Sequence, residues 1–74
     1  MNPHYQFLYL VFTHQPCTRF HLENIERGRF KNQIEECIRQ EYIEALDKNQ
    51  NGDDLYYITE TGKKIIDNPK EEQS

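Results

Sequence analysis

The sequence predicts an α+β fold in which three helices are followed by a β-hairpin and a short closing helix, and three observations carry that prediction. Between Pro3 and Gln15, and again over "RFKNQIEECIRQ", apolar side chains recur with a helical period. The segments "EYIEALD" and "LYYI" have strand character on either side of Asn51-Gly52, the strongest short hairpin signal. Thr59 then stands where it caps a last helix over "ETGKKIID". Seventy-four residues hold one domain with little core to spare, which favours a binding module over an enzyme with a large cleft. Residues 1–68 are expected to form that domain and 69–74, ending in "KEEQS", a solvated tail.

The first helix is marked by Asn2 as N-cap, Pro3 at the first helical position and Gln15-Pro16 at the end. A strand is the competing reading, because Tyr5 to Phe12 is rich in aromatics and includes Val11. On a helical wheel the apolar side chains from Tyr5 to Phe12 sweep about 260°, wider than one core-facing stripe needs. Phe7, Leu10 and Val11 are the natural core set, leaving Tyr5, Leu8, Tyr9 and Phe12 as an apolar surface for a homodimer packed through this helix. The alternative is that the closing helix and the N-terminal residues fold back over it.

A second, short helix follows in "CTRFHLENIERG", capped by Thr18, burying Phe20 or Leu22 together with Ile25, and ending near Gly28. The third helix, about residues 29–40, buries Phe30, Ile34, Cys37 and Ile38 along one face. Its opposite face holds Arg29, Asn32, Glu35, Glu36 and Arg39, laced by Lys31–Glu35 and Glu35–Arg39 pairs at i, i+4. In the hairpin, Ile43 and Ala45 are expected on the buried side and Tyr42 and Glu44 on the other; "KNQNGDD" is the turn. Ile65 and Ile66 point inward from the last helix, which Asn68-Pro69 ends.

This order resembles the winged-helix DNA-binding domains, the small bacterial or phage type in particular, and the likeness spans residues 7–67. It rests on "LYYITETGKK", a strand running through Thr into Gly and basic residues; on "YLVFTHQPCTRFHLENI", similar to the first two helices; and on "FKNQIEECIRQEYIEAL", similar to a third helix entering the first wing strand. The resemblance implies that Thr59 caps the closing helix and that Gly62 lets it pack close to the strand. Two departures stand out. Glu41 occupies a position where many winged helices have Gly, and "DKNQNGDD" is acidic where DNA-reading wings carry Arg or Lys.

Function follows from the same alignment. The resemblance implies a sequence-specific double-stranded DNA-binding protein, a small transcriptional regulator, with its third helix in the major groove. Arg29, Lys31, Asn32 and Gln33 are then the base-edge candidates, with Arg19, Arg27 and Arg39 completing the nucleic-acid-binding set. Charge argues for the middle of the chain: residues 1–40 carry five cations against four carboxylates, whereas residues 41–74 carry four lysines against nine. The alternative is a winged-helix protein-interaction module that uses the acidic second half and the apolar surface of the first helix. If Arg19, Arg27, Arg29 and Lys31 gather on one face, DNA is favoured; if they are scattered among Glu23, Glu26, Glu35 and Glu36, the alternative is.

No enzyme activity, cofactor or metal is expected. His14, Cys17 and His21 are spaced as three metal ligands would be, but a fourth is missing and two histidines beside a buried thiol is the plainer account. Cys17 with either His lacks an orienting third group for nucleophilic catalysis. Without a signal-like or membrane-length apolar run, the expected location is cytoplasmic and both cysteines are expected reduced.

Overall fold

The computed structural model describes residues 2–68, and the expected tail 69–74 lies outside them. Four helices and one antiparallel hairpin follow in the order α1 (Tyr5–His14), α2 (Arg19–Asn24), α3 (Ile34–Arg39), β1 (Ile43–Lys48), β2 (Asp54–Ile58) and α4 (Glu60–Asp67), with two 3-10 turns, Ile25–Gly28 and Lys31–Gln33, ahead of α3. The fold is α+β, with a core of Phe7, Leu8, Val11, Cys17, Leu22, Ile25, Phe30, Ile34, Cys37, Ile43 and Ile65. Burying a large apolar side chain is worth about 1.5–3 kcal/mol, so a handful of these residues decides whether so short a chain folds.

α1 starts at Tyr5 with His4 as its N-cap, two residues after the expected Asn2 cap, and Pro3 lies in the turn ahead of it; the Asn2 side-chain oxygen accepts from the His4 N–H at 2.8 Å and its carbonyl from the Tyr5 N–H at 3.1 Å. The apolar excess of α1 is resolved differently from the expected dimer surface. Leu8 is wholly buried alongside Phe7 and Val11, while Leu10 is only partly buried. The reason is α4, which packs against α1 and carries Ile65 into the core. One of the two stripes is therefore partly covered from within the chain. Gln15, in extended conformation, ends α1, and its side-chain oxygen accepts from the Ile58 N–H at 3.0 Å.

Between α1 and α2 the chain touches the hairpin. The Cys17 N–H donates to the Tyr56 carbonyl at 3.1 Å and the Tyr56 N–H to the Cys17 carbonyl at 2.7 Å, a one-residue third strand beside β2. Thr18 caps α2 by accepting from the His21 N–H. Of the two residues considered for the core here, Leu22 is buried and Phe20 is 74% exposed.

The third helix starts later than its periodicity suggests. Its apolar face is as expected, with Phe30, Ile34 and Cys37 buried and Ile38 partly so, but regular α geometry runs only from Ile34 to Arg39. Phe30 precedes Lys31–Gln33 without giving a side-chain cap, so the uncapped first turn winds as 3-10. Phe30 is fixed instead by its ring, 5.7 Å from that of Phe7.

The helix ends in a closed motif: the Tyr42 N–H donates to the Cys37 carbonyl at 2.8 Å and the Glu41 N–H to the Ile38 carbonyl at 3.0 Å. That pairing puts Glu41 in the left-handed region at φ 63°, a conformation that glycine adopts without penalty.

The strands pair Ile43↔Ile58, Glu44↔Tyr57 and Ala45↔Tyr56, then Asp47↔Leu55 and Lys48↔Asp54, so Leu46 is an unpaired bulge. The expected alternation survives only at the root. Ile43 is buried, but Ala45 and the rest of β1 are exposed because the hairpin leaves the body of the domain there. At the tip the Asn49 side chain accepts from the N–H groups of Asn51 and Asp53, and Gly52 sits at φ 85°.

The root of the hairpin is closed by α4. The Thr59 N–H donates to the Tyr42 carbonyl at 2.9 Å, its hydroxyl to the Glu41 carbonyl at 2.5 Å, and its side-chain oxygen accepts from the Gly62 N–H at 3.0 Å. A Cβ on Gly62 would lie 2.3 Å from the Tyr42 carbonyl oxygen and 2.8 Å from Ile58 Cγ1, so no side chain fits there. Ile65 is buried and Ile66 partly buried. Among the described residues, no helix is long and apolar enough to cross a membrane.

Candidate nucleic-acid interface

Three groups of side chains surround α3, and local ion pairing separates them. The first consists of cations already engaged. Arg19, on α2, donates from Nε to Glu23 Oε2 at 3.2 Å and from Nη2 to Glu35 Oε2 at 2.5 Å; the hydrogen bond to Glu35 raises the guanidinium pKa above its ordinary value. Arg39 pairs with Glu36, one turn back on the same helix. The Glu36 carboxylate is held below its usual range, first by the hydrogen bond from the Gln40 side chain and then by Arg39. The expected i, i+4 ladder of Lys31–Glu35 and Glu35–Arg39 is therefore replaced. Glu35 turns across to α2, and Arg39 takes Glu36 at i−3.

The second group is the segment 27–32. Arg27, Arg29, Lys31 and Asn32 are exposed, and among the described residues Arg27, Arg29 and Lys31 have no ion pair. Their exposure has a backbone cause. Glu26, Arg27 and Gly28 lie in succession at φ 52°, 60° and 84°, a left-handed turn that reverses the chain between Ile25 and Phe30, both buried. Two of these three residues carry a Cβ, which makes the conformation costly by about 1–2 kcal/mol at each. Arg29 lies over the Phe30 ring at 5.3 Å, so its charge is positioned by an aromatic face and not by a carboxylate. Gln33, the remaining base-edge candidate, is partly buried with its oxygen 2.8 Å from His4 Nδ1 and is drawn toward α1.

The third group is the acidic hairpin. Asp47, Asp53 and Asp54 are all exposed; Asp54 binds Lys48 at 2.7 Å, and that bond raises the lysine pKa. The only cation of the hairpin is thus neutralised within it.

The surface of α1 is smaller than its sequence promises. Tyr5 is partly buried and its ring stacks on that of Tyr9 at 6.4 Å, Leu8 is in the core, and Tyr9 and Phe12 are left 47% and 39% exposed. Two half-exposed aromatics fall short of the four-residue patch on which a homodimer was expected to rest.

In the cysteine and histidine cluster the thiol is buried and both histidines are exposed. Burial raises the Cys17 thiol pKa and, joined by the Glu36 charge, pushes Cys37 up to about 12, so neither supplies a thiolate at neutral pH. The His14 and His21 rings meet edge to face at 5.5 Å on the surface. No set of three His, Cys, Asp or Glu residues among the described residues could hold a metal ion.

The pairing of Arg19 with Glu35 and the left-handed Glu26-Arg27 step were invisible in the sequence. The first depends on how α2 and α3 cross, and the second occurs at residue types that seldom adopt it. Comparison with protein-family models, with curated proteins and with solved structures gives no match to this chain.

Proposed function

We propose that the chain is a small winged-helix protein that binds double-stranded DNA through residues 27–32 and the outward face of α3, and that it acts as a sequence-specific regulator. The observation that carries this reading is the run Arg27, Arg29 and Lys31, exposed and without ion pairs among the described residues, immediately ahead of α3 and beside exposed Asn32. The Thr59 cap and the side-chain-free contact of Gly62 with the hairpin root support the winged-helix assignment. Within the segment, Arg29 suits guanine and Asn32 adenine, whereas Arg27 and Lys31 suit phosphate. Arg19 and Arg39 leave the contact set because glutamates already hold them. The hairpin stays clear of the duplex, since Asp47, Asp53 and Asp54 repel phosphate.

Selection from a random duplex library at low salt, followed by affinity measurements on the selected site, tests this. Arg29→Ala and Asn32→Ala should each cost about 1–3 kcal/mol on that site and little on random duplex. Joint neutralisation of Asp47, Asp53 and Asp54 to Asn should leave affinity unchanged or raise it. Failure of the wild type to bind any duplex retires the proposal in favour of a protein-interaction module, which the engagement of Arg19 and Arg39 by glutamates would then explain.

A further inference from the structure

Resting on that DNA-binding reading, we propose that Glu35 is a specificity-determining residue that selects cytosine, and that Arg19 is its positioning residue. Glu35 stands in the first turn of α3, three residues beyond Asn32, whose 3-10 turn leads into the helix, and both side chains are exposed. Its side chain is 69% exposed. A free carboxylate facing a duplex would be repelled, but Arg19 Nη2 sits 2.5 Å from Oε2 and offsets part of that charge, its guanidinium being shared with Glu23. Arg19 is itself anchored at Nε by Glu23, so the guanidinium is fixed from behind and holds the carboxylate in one orientation. This leaves Glu35 Oε1 without a hydrogen-bond partner among the described residues.

The chemistry of the remaining oxygen narrows what it can meet. It accepts and cannot donate. In the major groove, guanine presents O6 and N7 acceptors and thymine an O4 acceptor, all of which repel it. Adenine offers its N6 amino group beside the N7 acceptor, whereas cytosine offers the N4 amino donor, and Glu accepting from cytosine N4 is the favourable pairing. Glu36 is the internal contrast. Its Oε1 is taken by Arg39 and its Oε2 by Gln40, and its side chain is only 34% exposed. Of the two adjacent carboxylates on α3, only Glu35 keeps an oxygen without a hydrogen-bond partner among the described residues.

The deciding experiment repeats the duplex selection with wild type, Glu35→Gln and Arg19→Lys, each checked for an unchanged urea midpoint. The wild type should select a C·G pair at one position. Glu35→Gln, near-isosteric and able to pair with adenine, should lose that cytosine preference by about tenfold at that position alone. Arg19→Lys keeps the charge but loses the fork that spans Glu23 and Glu35, and should weaken the same preference without changing the bases selected elsewhere. A selected site that is identical for wild type and Glu35→Gln overturns the proposal and reduces the Arg19–Glu35 pair to a clamp between two helices. A wild type that selects no site overturns the DNA-binding reading, and this inference with it.

Discussion

The root of the hairpin and the turn that leads into α3 are built from opposite materials. At the root, Glu41, Tyr42, Thr59 and Gly62 meet through main-chain groups and one hydroxyl, in a space that excludes even a methyl group at Gly62. At the turn, Glu26, Arg27 and Gly28 hold a left-handed path between two buried apolar residues, and the side chains that follow stand in solvent. Both regions place a non-glycine residue at positive φ. At the root, Glu41 is fixed by a complete pair of main-chain hydrogen bonds. At the turn, burial of Ile25 and Phe30 on either side constrains the path, and the result is a display of cations. A region closed by backbone contact with another element sets the frame; a turn closed by its own Arg29–Glu26 backbone bond and by burial at its two ends leaves its side chains exposed.

Gly62→Ala attacks the first region and should have the largest effect. Its Cβ meets main chain and cannot be relieved by a rotamer change, so a loss of about 3 kcal/mol is expected in urea unfolding. A change below about 0.5 kcal/mol would mean that α4 can lift away from Tyr42 without cost, and the contrast between the two regions would fail.

Relief of strain then separates them. Glu41→Gly and Arg27→Gly both remove a Cβ from a left-handed position and should each raise stability by about 1 kcal/mol. Only the second removes an unpaired cation. Arg27→Gly should therefore weaken binding to selected and random duplex alike, with a shallower salt dependence, while Glu41→Gly leaves binding as it was. Equal binding by both variants would take Arg27 out of the interface.

The smallest effect concerns α3 itself. Because the folded-state pKa of Glu36 is depressed by Gln40 and Arg39, its contribution is fully present above the unfolded carboxylate value and is lost as pH falls through the folded value. The wild type should lose stability relative to Glu36→Gln over that acid range, and parallel curves would show that the Glu36 contacts do not stabilise the fold.

Patterns confined to one element were legible in the sequence. The buried face of α3, the Thr18 and Thr59 caps and the Asn-Gly tip each follow from spacing or from a local motif that a few neighbouring residues complete, whereas the place of Gly62 is implied only by the winged-helix resemblance. What failed depended on a second element. Leu8 has apolar neighbours on both sides of α1, and its place in the core depends on elements that pack against α1 from later in the chain, α4 and β2. Ala45 alternates as a buried strand residue should, but its side of the sheet faces solvent once the hairpin leaves the body. Glu35 has two cations at helical spacing and takes neither, because Arg19 reaches it from α2. At the candidate interface the residue types were readable, but their pairing was not, and pairing decides which of them remain available.

The contact between Cys17 and Tyr56, joined by the Gln15–Ile58 hydrogen bond, has a consequence for folding order. These bonds close a circuit in which Gln15 and Ile58 are 43 positions apart, and α2, α3 and the hairpin all lie inside it. Helices and hairpins nucleate locally and fast, but this closure must gather distant segments before any of its hydrogen bonds compensates the lost chain entropy. The segment 27–32 lies inside that circuit and is expected to acquire its fixed place late, when the circuit shuts. The single bridge between α1 and α2 thus ties the two ends of the domain together, and the segment that carries the exposed cations lies within the tie.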